Sequence, residues 1–175
     1  MKRRDMRKKY VWFLFLILVI GTLQYKSRDY TINITRSLPL GIYHLEEASD
    51  IQLGDIVQFQ LEKEKMDFLY DREYLPRIAD TLLKIVAADS TNSEKIRIQN
   101  NSIFPILYIG NHNWGPILPA DSKNRVVPQI SLEEMKPKEG EYLLLSPVAR
   151  SFDGRYWGSI SKEKILKKAT PILIF

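Results

Sequence analysis

Cysteine is absent from this 175-residue chain, so no disulfide framework, thiolate metal site or cysteine nucleophile enters the reading. Histidine is nearly so: His44 and His112 are the only two, too few to build a zinc site unaided, and neither stands in a recognisable nucleophile–base pattern. Internal repeats and low-complexity tracts are also missing. The net charge of +5 does not describe a broad basic face. It gathers at the start, where Lys2, Arg3, Arg4, Arg7, Lys8 and Lys9 face only Asp5, which argues against nucleic acid as a partner. What remains, 45% hydrophobic and 27% charged, is enough for one domain with a core and too little for two large ones.

One apolar run stands out. From Tyr10 to Tyr25 there is no charged residue, and Val11 to Ile20 is continuously apolar. At about 1.5 Å per residue the run is slightly short for a hydrocarbon core of about 30 Å, but Trp12 and Tyr25 suit the interfaces and the flanking cations can snorkel. Residues 10–25 are therefore expected to be a membrane anchor, with a cleaved signal peptide ending near Gly21 as the rival. Either way the positive-inside rule keeps residues 1–9 in the cytoplasm and exports residues 26–175.

Beyond a linker around Lys26 to Tyr30, short strand patterns dominate. Ile42 to Leu45 and Ile56 to Leu61 read as strands, the second alternating Val57, Phe59 and Leu61 with Gln58 and Gln60. Residues 62–78 turn to helix or irregular connection, with Met66, Leu69 and Tyr70 as a stripe and Pro76 limiting its end, and are expected to be a lid or insertion. Further strands are expected at Thr81 to Ala88, Ile96 to Ile98, Ile103 to Ile109 and Tyr142 to Leu145. A last one, Ile165 to Phe175, carries Pro171, which argues for an edge position. The fold class is thus mainly β.

Three segments carry residue types suited to chemistry. In Thr35-Arg36-Ser37-Leu38-Pro39-Leu40-Gly41-Ile42-Tyr43, Pro39 restricts its own φ and its predecessor, and Gly41 permits a turn or a close backbone approach, so Ser37 is held on a constrained segment. By itself such a segment reads as a turn between strands. Lys84 interrupts the apolar strand Thr81 to Ala88, where a lone lysine is also a common edge or snorkelling residue. Ser151-Phe152-Asp153-Gly154-Arg155-Tyr156-Trp157-Gly158 could be an aromatic-packed loop with an Asp153/Arg155 surface pair of little energetic value. A serine hydroxyl is a poor nucleophile at neutral pH and needs a base within hydrogen-bond reach. A lysine desolvated by an apolar strand can serve where no histidine does.

Taken together the three segments resemble the signal peptidase family of Ser/Lys proteases, and its conjugative-transfer (TraF-type) branch in particular. Asn33, Thr35, Ser37, Pro39, Gly41 and Tyr43 match the nucleophile pattern N-x-T-x-S-x-P-x-G-x-Y that follows a membrane anchor. Lys84 matches the lysine strand, with Ile85 in place of the usual arginine and Ala88-Asp89-Ser90 in place of a Pro-Gly-Asp turn. Residues 151–158 match the S-x-D-S-R-x-W/F-G box, with Gly154 the one departure.

The resemblance implies a signal-peptidase-like β-sheet or partial-barrel catalytic domain (26–175) behind one N-terminal transmembrane helix. It implies Ser37 as nucleophile and Lys84 as general base and then proton donor, with Ser151 orienting the lysine amine and Asp153 and Arg155 bracing the loop. Thr35 would join the Ser37 N–H around the oxyanion, and no metal or organic cofactor is called for. The implied partners are the bilayer and exported precursor proteins, a conjugative pilin or mating-pore component among them. The place of action is the outer side of the cytoplasmic membrane. A general type I signal peptidase is the near alternative, and a non-catalytic anchored β module of a secretion or pilus machine the distant one.

Overall fold

The structure, a computed structural model, describes residues 29–100 and 102–175. The basic tail and the expected anchor at 10–25 lie outside them. Among the described residues no helix is long and apolar enough to cross a membrane.

Among the described residues ten strands form two sheets. Strands β1 (Tyr30–Asn33), β2 (Gly41–Glu47), β3 (Ile56–Phe59), β4 (Leu82–Asp89), β8 (Glu141–Leu145), β9 (Ile160–Ser161) and β10 (Ile165–Ile174) build the larger, in the order β1-β2-β10-β3-β4-β8-β9 with every pairing antiparallel. Strands β5 (Ile96–Gln99), β6 (Ile106–Ile109) and β7 (His112–Pro116) form the smaller, also antiparallel. The α-helices among the described residues are short: α1 (Lys63–Asp71), α2 (Leu132–Met135) and α3 (Gly154–Trp157). The mainly β expectation holds, and the large sheet curls into a half barrel. Four strand spacings separate β2 from β8, about 19 Å on a flat sheet. Yet the hydroxyl of Ser146, just past β8, bonds the carbonyl of Ser37, just before β2.

Three apolar clusters support the curl. Val57, Phe59 and Val86 pack with Met66 and Leu69 of α1 and with Trp157 of α3. Ala87, Ala88, Leu143 and Leu145 pack with Leu107 and Ile109 of the small sheet and with Met135 of α2. Leu38 and Tyr43 of the Ser37 segment pack with Leu45, Leu83 and Ala169. The stripe expected in the 62–78 region is realised in α1, where Met66 and Leu69 are buried.

Two expectations are corrected. Strand β10 is interior, between β2 and β3, not an edge strand. Pro171 is tolerated because β10 meets β3 only through Ile165–Ala169, so at Pro171 the strand has β2 alone as a neighbour, with a register shift just beyond. The linker also ends sooner than expected: Tyr30 already opens β1, which with β9 forms the edges of the sheet among the described residues.

Candidate active site

The segment after β1 is shaped by Asn33. Its side chain is buried, and its Nδ2 donates to the carbonyls of Thr35, Leu38 and Pro39 at 3.0, 3.0 and 2.9 Å. Its Oδ1 accepts from the N–H and hydroxyl of Thr35. The Tyr43 hydroxyl closes the far end by donating to Pro39 O at 2.8 Å. Gly41 is the close approach that the sequence allowed for: a Cβ there would overlap the carbonyl oxygen of Leu173. Ser37 is thereby fixed, with its Oγ 3.2 Å from the Thr35 hydroxyl. Asn33 heads an Asn-Ile-Thr glycosylation sequon, but its buried, fully bonded amide is occupied by the fold.

Lys84 sits on β4, which runs between β3 and β8 and is not an edge. The two-residue period of a strand puts Leu82 and Lys84 on the face opposite Leu83, which packs under Leu38. Lys84 is only 3% exposed. Burial pushes its ammonium pKa down to about 8; the Asp153 charge pulls it upward and the Arg155 charge pushes it further down. At that value roughly a tenth of the amine is neutral at pH 7.

Ser37, Thr35, Lys84 and Ser151 all line one cavity of about 390 Å³. Leu69 and Leu75 from the α1 region and Leu118, Val127, Phe152 and Tyr156 supply its apolar wall. Ser151 Oγ is buried and has no hydrogen-bond partner among the described residues. An unpaired buried hydroxyl is costly, so one that shares a cavity with a buried amine suits the orienting role read from the sequence.

Asp153 and Arg155 lie behind the cavity, both fully buried rather than on the surface. They form a fork, Nε to Oδ1 at 2.9 Å and Nη2 to Oδ2 at 2.7 Å. Asp153 also accepts from the N–H of Ser146 and caps α3 through the N–H of Arg155. Arg155 reaches the carbonyls of Trp114 and Pro116 on β7 and of Val148 and Ser151 on the loop before it. The pair therefore pins the Ser151 loop to both sheets. Gly154, the departure in this box, is required by packing: a Cβ there would come within 2.8 Å of Leu144 O and 2.7 Å of Leu143 Cδ1.

Two parts of the site escaped the sequence reading. Ser146 is fully buried and links the two loops, through Ser37 O and the N–H of Val148. Its only sequence signal is a polar residue closing the apolar run Tyr142 to Leu145 before Pro147. The second part is Asp121, which also lines the cavity. Its carboxylate accepts from Tyr74 Oη and Arg125 Nε, each at 2.7 Å, and from the N–H groups of Lys123 and Arg125. Burial would raise its pKa, but the Tyr74 and Arg125 hydrogen bonds outweigh that and hold it well below the usual carboxylate range. His44 and His112 do not line the cavity; they pack edge-on against Tyr30 and Trp114.

The arrangement places a hydroxyl, a buried amine of depressed pKa and a second hydroxyl around one apolar pocket. Nucleophilic attack by Ser37 with proton transfer to Lys84 is chemistry these groups can perform. Among known families, the model described as signal peptidase, peptidase S26, matches residues 3–174 of the chain. No curated protein matches it.

Proposed function

We propose that this chain, which belongs to the signal peptidase family and is thereby a serine peptidase, works as a membrane-anchored endopeptidase with a Ser37/Lys84 dyad. The observation that supports the dyad is the shared cavity: the lysine that the fold buries on an interior strand opens into the same pocket as the constrained serine. In this mechanism neutral Lys84 takes the Ser37 proton as Oγ attacks the scissile carbonyl, then returns it to the leaving amine. Ser151 orients the amine. The oxyanion is met by the Ser37 main-chain N–H and by the Thr35 hydroxyl, which leaves its bond to Asn33 Oδ1 to donate there. Water then releases the acyl chain.

The apolar run at 10–25 holds the domain at the outer face of the cytoplasmic membrane, where signal or leader segments leave the bilayer and their cleavage sites are concentrated. The match of Asn33 to Tyr43 to the conjugative-transfer pattern supports a pilin or mating-pore precursor as substrate. The test is N-terminal mapping of membrane and exported proteins in cells carrying wild type or Ser37→Ala. Precursors that accumulate uncut only in the variant are the substrates; identical N-termini in both strains would refute the function.

A further inference from the structure

The cavity around Ser37 is unevenly charged. Three basic residues line it, Arg36, Lys84 and Arg150, against one acidic residue, Asp121. Asp121 is already engaged by Tyr74 and Arg125, and Lys84 is buried. Arg36 and Arg150 are exposed, and among the described residues neither guanidinium forms an ion pair or a hydrogen bond with a side chain or carbonyl. The contrast with Arg155 and Arg125, whose guanidinium groups are tied into the fold, is informative. Arg36 is the chain neighbour of Ser37 and Arg150 that of Ser151, so the two stand on the loops that Ser146 joins.

We propose that Arg36 and Arg150 bind a carboxylate side chain of the substrate polypeptide, within a few residues of the bond that Ser37 attacks. This rests on the peptidase reading above and adds a charge preference to it. The planar guanidinium fork suits a carboxylate, and an apolar cavity wall lowers the local dielectric around such a pair. An anionic lipid headgroup offers similar chemistry. It is disfavoured by position: the arginines line the cavity with Ser37, whereas the exposed apolar residues that would face a bilayer, Ile32, Ile34, Ile172 and Phe175, are not part of that lining.

The test uses the full chain in neutral detergent and peptides spanning a mapped cleavage site, identical except for Glu or Gln at one flanking position at a time. At one or two positions wild type should cleave the Glu peptide with kcat/KM roughly five- to thirtyfold above the Gln peptide, mainly through KM, as two partly screened charge pairs supply. Added salt should erode the preference. In Arg36→Gln/Arg150→Gln the ratio should fall to within about twofold of unity, and Arg150→Glu should turn the preference toward a Lys peptide. An active wild type that cuts Glu and Gln peptides alike at every position overturns the proposal. So does a preference that survives in the double variant, or an arginine-dependent stimulation by anionic over zwitterionic vesicles without any peptide preference. Wild type as inert as Ser37→Ala on all peptides would instead remove the nucleophile assignment, and the proposal with it.

Discussion

Ser146 Oγ donates a hydrogen bond to the main-chain carbonyl of Ser37, 109 residues earlier in the chain, and accepts one from the N–H of Val148. One buried hydroxyl thus ties the loop that carries Ser37 to the loop that leads to Ser151.

Ser146→Ala removes that tie and leaves the Ser37 carbonyl short of a donor. The expected cost is about 1–3 kcal/mol of stability. Because a small misplacement of the nucleophile is costly in rate, cleavage should fall by roughly tenfold or more. Thermal melts and cleavage of a purified precursor read the two effects separately. Wild-type values in both would show that the two loops hold their places without Ser146.

Asp153→Ala should be the most destabilising single change in the site. It strands the fully buried Arg155 charge and deprives two buried N–H groups, of Ser146 and Arg155, of their acceptor. Breaking such a pair costs about 3–5 kcal/mol, which for a domain of this size lowers Tm by roughly 10 °C or more. Equal melts for wild type and Asp153→Ala would return the pair to the weak role of a surface ion pair. The milder Asp153→Asn removes a charge that pulls the Lys84 pKa upward, so any activity it keeps should have its alkaline rise moved to lower pH.

Whether a residue acts through near or distant partners separates what was legible in the sequence from what was not. Leu82, Lys84 and Val86 read as one strand because an interior strand buried on both faces leaves a nearly continuous apolar run, in which a lysine is conspicuous. The Ser37 segment and the Asp153 box were legible through their own residues. The strand β1 was not, since it is only four residues long, Tyr30 and Ile32 are exposed, and its pairing partner lies beyond the turn. Pro171 misled because the rule against proline in a sheet interior is local, and β3 ends before the strand reaches it. Ser146 and Asp121 act through partners 109 and 47 residues away, a distance that no local pattern carries.

Lys84 should cost stability in return for its chemistry. Its folded pKa of about 8 lies below the unfolded value of about 10.4. Between those values the unfolded chain holds the extra proton, so this residue's contribution to stability rises with pH across that window. Below about pH 8 the full penalty of burying the charge applies, on the order of 3 kcal/mol. Lys84→Met should therefore melt higher than wild type at neutral pH, with the difference shrinking toward pH about 10. A variant that melts lower at every pH would mean that the amine is well paired in the fold.

The dyad itself is tested most directly by cleavage of a precursor across a pH series by wild type, Lys84→Arg and Lys84→Ala, each first shown to be folded. Wild-type kcat/KM should rise with pH through about 8, as the buried amine loses its proton. Lys84→Arg keeps the positive charge but cannot act as a base, because its guanidinium stays protonated, and should be as inactive as Lys84→Ala. Near wild-type cleavage by Lys84→Arg, or a wild-type rate flat through that range, would contradict the Ser37/Lys84 mechanism.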